Sequence, residues 1–588
     1  LKHLRPILPA CSIAAAAFLV YWPSLRNGFV WDDTALVLRD PLIRSWRLIR
    51  EGFRHFLFLD ATASNFYRPI QRLSYTVDYA FHEFGAWGYH LTNILLHAAA
   101  AVALFWFLKK WSSRNAMALL ASLAWVVHPL HSSAVIYVAG RADLLAALFG
   151  FGALAISLGG RRRTGSITAA VCFFAAMLSK ENGFLFLVAW LVILAFRRDY
   201  LDLQRWSFVA VLIVALYCGL RLTAQRTPPP PSPGTPVVER PMLAARAVAE
   251  YAGLLVAPVD LHMERDVRNR NDIQPDSSRA LDWKKYQTLL GVMLLGLFML
   301  WCRRAWHGDR LILQALILFA LAYLPISNLL PLNASIAEHW LYVPSAFLLF
   351  AAMLSIDRLA WRKVLIPLVI VWACFLGVRT FLRNADWRDQ RTFLKATIRS
   401  GGDSERMYVN LGQLEASGGH FDAALDALRK ALELKPDSRF ARMGRAAAYI
   451  RMRDYQRAKQ ELEHTLSDPF FRPKSLDFLA TVQWESNPAE AVATLREAAL
   501  LDKNYWPIRK RYIQSLDATR DTRRAIDELR ELLEEQPYRA DSWKLLGSLL
   551  LKIGQSALAR EAFERAASYD VHDAASREEI VRLRSSRQ

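Results

Sequence analysis

Cysteine is scarce in this chain. The five it has (Cys11, Cys172, Cys218, Cys302 and Cys374) all sit in apolar segments with no paired spacing. That pattern excludes a disulfide framework and a cysteine-based zinc site, and it predicts core residues. Also missing is a small-residue cleavage pattern after the apolar run that follows Lys2 and Arg5, so this run reads as a retained first span. Excess charge is missing from the C-terminal third: residues 401–588 hold 31 Lys and Arg against 30 Asp and Glu, although the whole chain carries +20. The basic excess therefore belongs to the apolar part, where headgroups and topology account for it, and nucleic acid is not a partner.

What the chain does have is apolar length. Of its 588 residues 53% are hydrophobic, with 19 Trp and 31 Phe, too many for one soluble domain. Runs of spanning length recur at roughly 6–24, 88–108, 115–137, 142–160, 164–180, 183–197, 206–223, 286–302, 311–331, 339–356 and 364–382, about eleven in all. With the N-terminus cytoplasmic, the short cytoplasmic pieces carry seventeen Lys and Arg, among them Lys109, Lys110, Arg114, Arg303, Arg304 and Arg358. The short loops opposite carry only Arg141 and Lys180, so the positive-inside rule sets the orientation. Loops 25–87 and 224–285 and the C-terminal part then face outward.

The first outer loop holds SWRLIREGFRHFL (45–57), whose Trp46, Ile49, Phe53 and Phe56 share one helical face opposite arginines. This predicts a helix lying in the membrane interface. The second outer loop opens on PPPPSPGTP (228–236), a stiff polyproline-like run, and continues into RPMLAARAVAEYAGLLVAP (240–258). The latter is short for a span and reads as interfacial or re-entrant.

From 401 onward the chain repeats at a period of 34, the tetratricopeptide length. Tyr408, Leu411, Gly412, Ala424, Leu428 and Ala431 recur as Trp543, Leu546, Gly547, Ala559, Phe563 and Ala566. Weaker copies run through Ala446, Tyr449, Ala458 and Leu462, through Ala525, Leu529 and Leu532, and irregularly near 473–505. About five repeats make an α-solenoid with a concave face suited to an extended peptide. The expected fold class is therefore all-α: a polytopic transmembrane helical module (1–383), a linker (384–402) and a tetratricopeptide-repeat domain (403–588).

Ionisable groups at span ends are expensive and mark function by default. They gather at the expected outer ends. His90, Asn93 and His97 share one face of the second span, and His128 and His131 precede Arg141 and Asp143. Lys180 and Glu181 form the turn before the sixth span, and Glu338, His339 and Tyr342 precede the tenth. All lie on the side of NGFVWDDTALVLRDP (27–41), where Asp32 and Asp33 stand together. Each has an ordinary reading: an aspartate capping a short helix, histidines bonding helix ends, Lys180 snorkelling to headgroups, Arg141 paired with Asp143. A metal site from His128 and His131 lacks a carboxylate partner, so no metal ligands are assigned and no cofactor is called for beyond an optional divalent cation. The convergence of carboxylates, cations and histidines on one face suggests a site for an anionic, lipid-linked substrate.

NGFVWDD (27–33), YRPIQRLSYTVDYAF (67–81), GYHLTNILLHA (88–98), HPLHSSAVIYVAGRADLLAALF (128–149), LSKENGF (178–184) and AEHWLYVPS (337–345), followed by repeats, resemble the transmembrane and tetratricopeptide-repeat (TMTC-like) proteins. These are protein O-mannosyltransferase-like members of the GT-C glycosyltransferase superfamily. The resemblance implies a multi-pass enzyme of the cytoplasmic membrane, with its repeats on the outer, periplasmic side. It would use a polyprenyl-phosphate-linked sugar, and an acidic residue of the first outer loop, Asp32 or Asp33, would be the catalytic base. Inverting displacement needs one carboxylate to take the acceptor's proton and cations to stabilise the leaving phosphate. Lys180, Arg141, Arg68 and His339 are the expected cations. Two positions depart from the family pattern: Ser132 and Ser133 replace a Thr-Glu pair, and His339 stands for an arginine. These departures leave a changed donor or reduced activity open. The expected partners are the lipid-linked donor, a protein acceptor, membrane lipids and a protein held by the repeats. Transfer to a glycan or lipid, or a catalytically silent scaffold for envelope assembly, are the alternative readings.

Overall fold

The structure, a computed structural model, describes residues 7–59, 64–159, 163–225, 236–267, 283–330, 332 and 334–585. Among them there is no strand, only two isolated bridges, His55 with Gln225 and Arg265 with Ile336. The N-terminal part is a bundle of apolar helices. Seven are long and apolar enough to cross a bilayer: Leu8–Arg26, Ala86–Ser112, Val138–Ser157, Tyr200–Thr223, Tyr286–Gly308, Glu338–Arg358 and Arg362–Trp387. An eighth is broken. Helices Asn115–Val126 and Pro129–Val135 meet at 52° because Pro129 forces His128 into extended backbone (φ −72°, ψ 127°). The remaining expected places hold shorter helices, Arg163–Ser179, Phe184–Arg197 and Arg310–Tyr323, of 14 to 17 residues. Seven or eight of the eleven expected spans thus meet the length on their own, and the protein is a multi-pass membrane protein.

Loops expected on one side do meet. At one end of the bundle Arg114 pairs with Asp357 (2.8 Å) and Arg358 with Asp309 (2.5 Å), joining the segments around 114, 309 and 358. The opposite end carries the segment 27–82 and the repeats.

Two expectations are corrected. The cysteines are not all core residues: Cys172 and Cys302 pack, partly buried, against the main core, but Cys11, Cys218 and Cys374 are exposed. The interfacial helix is cut short, since only Ile49–Arg54 is α-helical after a single turn at Trp46–Leu48. The cause is Arg72, whose guanidinium takes the carbonyls of Gly52, His55 and Phe56 (2.7–2.9 Å), so the chain leaves the helix at His55. Phe56 enters the main core and Leu48 lies beside Tyr538 of the repeats, while Trp46 stays 45% exposed. Segment 240–258 is a helix, Arg240–Val256, whose Leu243, Ala247 and Tyr251 pack against Leu130, Ile326 and Leu341. The proline run before it lies, up to 235, outside the described residues.

The repeats are five helix pairs: Glu405–Ser417 with Phe421–Leu434, Arg439–Arg451 with Tyr455–Leu466, Arg472–Gln483 with Pro488–Leu501, Trp506–Ala518 with Thr522–Glu535, and Ala540–Lys552 with Ser556–Tyr569. Helix Ala574–Ser585 follows them. The glycines of the repeat pattern sit where paired helices touch. A Cβ on Gly412 would lie 2.5 Å from Leu428, and one on Gly547 2.8 Å from the Phe563 ring. Gly547→Val is therefore expected to cost about 1–3 kcal/mol through overpacking, despite removing a helical glycine. The check is denaturant unfolding followed by fluorescence of the purified chain; an unchanged midpoint would mean the helix pair yields without strain.

Candidate active site at the solenoid end of the bundle

The two adjacent aspartates are held differently. Segment 27–31 is stitched to the chain that leads into the repeats: Asn27 Nδ2 donates to Asn384 O (3.0 Å), Gly28 N to Arg388 O (2.9 Å) and Trp31 N to Gln390 Oε1 (2.6 Å). Trp31 adopts φ +53°, a left-handed conformation that a bulky residue takes only when its surroundings impose it. Immediately after it the two carboxylates part. Asp33 is fully buried, and its oxygens accept from Val30 N (3.0 Å) and Ala139 N (2.7 Å). It stands at the N-cap position of helix Thr34–Leu38 yet makes no cap bond, so it ties two loops together instead. Asp32 is half-buried. Its backbone N–H donates to the Tyr137 hydroxyl (3.1 Å), which also hydrogen-bonds its carboxylate.

Burial raises the pKa of both. For Asp33 it wins over the two N–H groups and pushes the carboxyl up to about 8. For Asp32 burial is opposed by the Tyr137 hydrogen bond and by the charges of Arg406 and Arg68. A raised Asp33 pKa means that folding favours its protonated form. The resulting stability is complete below the unfolded value of about 4 and is lost as pH rises through about 8. Asp33→Asn keeps one of the two acceptors, so it is expected to cost about 1–3 kcal/mol at low pH and to flatten the decline of Tm with pH. Thermal unfolding between pH 4 and 8 reads both; parallel curves for variant and wild type would contradict this account.

Beside Asp32 lies a group of ion pairs. Arg68 grips Glu181 (2.9 Å), Arg221 approaches the same carboxylate (3.7 Å), and Lys180 pairs with Asp143 (2.6 Å). His339 lies within the field of Lys180, Asp143 and Arg68. Burial works to raise Glu181, but Arg68's charge and hydrogen bonds outweigh it and hold it below the usual range. Burial lowers Lys180 against the pull of Asp143. Lys180 is thus a buried partner of Asp143, not a side chain snorkelling to headgroups. Arg221 escaped the sequence reading. An arginine near the loop end of an apolar helix was the available signal.

Arg141 does not join this group. It is fully buried, and its donors go to Asp78 (2.5 Å), Asn93 Oδ1 (2.7 Å), Ser74 Oγ (3.2 Å) and Tyr89 O (2.9 Å), with Tyr75 stacked beneath it. It is therefore neither paired with Asp143 nor free for a phosphate; it clamps helix Pro69–His82 to the bundle. Asp78, inside a quoted motif but not singled out, is its counter-charge.

The histidines and the last turn also separate. His97 bonds Tyr342 Oη (2.6 Å) and Val126 O (3.0 Å), while His128 takes Leu130 N (3.3 Å) and Leu255 O (3.0 Å). His131 reaches Ser345 Oγ (3.3 Å), and His90 is buried on the same face as Asn93. These are interior helix-end partners. No cluster of three metal-ligating side chains occurs among the described residues. Glu338 points away from its neighbour His339: it accepts from His262 N (2.6 Å) and lies 3.8–3.9 Å from Arg265 and Arg383.

The family of tetratricopeptide repeats matches residues 416–470 and 540–570. Over 94% of its length the chain is 24% identical to human protein O-mannosyl-transferase TMTC3. Its curated homologues are protein O-mannosyl-transferases. The Drosophila melanogaster TMTC3 is 24% identical over 78% of the chain, and mouse TMTC1 31% over 25%. The chain spans 63% of the human relative's length, 58% of the fly relative's and 16% of mouse TMTC1. Among solved structures it is similar to YrrB, a tetratricopeptide-repeat protein with an unusual peptide-binding site, at 21% identity and a TM-score of 0.24, covering 33% of this chain and 98% of that one.

Proposed function

We propose that this protein is an integral-membrane glycosyltransferase that moves a hexose, mannose by analogy with its relatives, from a polyprenyl-phosphate sugar to a Ser or Thr hydroxyl of a protein. The observation that carries the reading is the division of labour at the aspartate pair. Asp33 is consumed in holding the loop, whereas Asp32 is half-open beside Arg68. Asp32 is the base. Its carboxylate takes the proton of the acceptor hydroxyl as that oxygen attacks the anomeric carbon from the face opposite the phosphate. The bond from the anomeric carbon to the phosphate oxygen breaks, and the electron pair leaves with the polyprenyl phosphate. Arg68, Arg221 and His339 hold that phosphate, so no proton donor is needed for departure.

The positive-inside distribution of the short loops supports a reading in which this face lies outside the cytoplasmic membrane, with the repeats on the same side. The test is reconstitution into proteoliposomes with polyprenyl-phosphate sugars and a Ser/Thr peptide, comparing wild type, Asp32→Asn and a truncation before Gly401. Turnover by wild type and none by Asp32→Asn is the expected result. No turnover of any donor, combined with an in vivo phenotype lost only on truncation, would instead establish a scaffold.

A further inference from the structure

The solenoid is fastened at both ends to the loop that carries Asp32. At its root Gln390 bonds Trp31, and Arg406 lies 5.3 Å over the Trp31 ring while pairing with Glu264. At its far end Tyr79 Oη donates to Asp570 (2.8 Å), His572 Nε2 meets Tyr79 O (2.9 Å), Val571 N donates to Arg44 O (3.1 Å) and Ser45 Oγ to Ser568 O (3.1 Å). Two cavities lie between these fastenings. One, of about 590 Å³, runs along the first three repeats from Arg406 past Phe440, Arg451 and Lys474 to Tyr505. The other, of about 530 Å³, lies between loop residues His55–Leu59 and repeat residues Asn504, Gln536 and Tyr538. Neighbouring residues line the two, Tyr505 the first and Asn504 the second.

The wall of the first cavity has a definite chemistry. It presents three cations (Arg406, Arg451, Lys474) against one carboxylate, Glu405, in a repeat domain that is otherwise nearly neutral. Among the described residues neither Arg451 nor Lys474 is within ion-pair distance of a carboxylate; Arg451 caps the carbonyls of Ala416 and Ser417, and Lys474 sits 5.3 Å over the Tyr505 ring in the field of Asp502. Phe440 offers half its surface to the cavity. Arg406 belongs to both places: it lines this wall, and its charge acts on Asp32.

We propose that this inner wall is the track of the acceptor, which it takes as an extended polypeptide segment and selects for acidic and aromatic side chains next to the Ser or Thr. A solenoid tied to the bundle at both ends leaves room along its inner wall for an extended strand rather than a folded domain. That wall's net positive charge attracts carboxylates, and its rings stack on aromatic side chains. The proposal rests on the transferase reading above for the word acceptor, and its test does not depend on catalysis.

The probe is a fluorescein-labelled 15-residue peptide with one Thr flanked by Asp and Phe, titrated with the full-length protein in detergent and read by anisotropy. Controls are the same peptide with Lys for Asp, a small folded domain carrying the segment in a loop, and a 15-residue oligodeoxythymidine. The acidic peptide is expected to bind at least tenfold tighter than the lysine peptide and the folded domain. Lys474→Glu and, separately, Phe440→Ala are each expected to weaken it at least fivefold. Equal affinity for both peptides, no effect of either wall variant, or tighter binding of the oligonucleotide would overturn the track. Peptide binding without any sugar transfer would retain the groove and remove the transferase. Asp32-dependent transfer without selective peptide binding would do the reverse.

Discussion

Asp32→Asn is expected to lower the transfer rate by about 10²–10⁴, the contribution of a positioned general base, while leaving Tm within a degree of wild type. The two readouts belong together. Asp32 is half-buried and its side chain makes one neighbourly bond, to Tyr137, whereas Asp33 receives two backbone N–H groups in full burial. Catalytic and structural loss should therefore fall on different members of one dipeptide. The sign of the pH dependence follows from burial. Asp32 works only when ionised and its pKa is raised, so the rate should fall as pH drops through a midpoint above the ordinary carboxylate range. Arg68→Gln removes one of the charges that oppose this rise and should move the midpoint further up. Rate profiles from pH 4 to 9 decide it; a midpoint at or below 4 would assign the proton transfer to another group.

The largest structural effect is expected at Arg72, not at the candidate base. Arg72 and Asp40 pair at 2.9 Å with 2% and 3% of their side chains exposed, and the same guanidinium holds the carbonyls of Gly52, His55 and Phe56. Arg72→Met leaves a buried carboxylate without its counter-ion, a loss of about 3–5 kcal/mol. The unpaired carbonyls add to it, about 1–3 kcal/mol where water does not replace the guanidinium. Because the segment these carbonyls fix also carries His55 and Leu48 against Tyr538, loosening it should free the far end of the solenoid. A thermal shift of the detergent-solubilised protein, together with faster proteolysis within 41–59, is the expected outcome. An unchanged Tm and unchanged cleavage would show that the hub carries no such weight. The pair Arg72→Met with Asp40→Leu should recover part of the loss, as it removes the stranded charge but not the stranded carbonyls.

The histidines, arginines and carboxylates that stand out at helix ends do converge on one end of the bundle, as their distribution along the chain suggests. Convergence is not participation, however. Arg141, Lys180 and Arg68 look alike in a sequence: each is a cation near an apolar run. In the fold Arg141 is consumed by Asp78 and Asn93, Lys180 by Asp143, and Arg68 keeps partial exposure while bound to Glu181. Glu338 and His339 are neighbours whose side chains diverge to different clusters.

Some properties are set by local and periodic chemistry. Apolar length declares the helices, a period of 34 declares the repeats, and small residues such as Gly412 and Gly547 declare where helices touch, because each depends on residues near one another in the chain. The division between Asp32 and Asp33 is different in kind. It depends on Ala139, Tyr137, Gln390 and Arg406, residues 105 to 374 positions away, and on a tryptophan forced into a left-handed turn. The same holds for the truncated helix at 49–54, where a distant arginine outbids the helix for its own carbonyls, and for a solenoid closed over the loop at both ends. Burial and long-range hydrogen bonding decide which charges are free to act, and those exist only once the chain has folded.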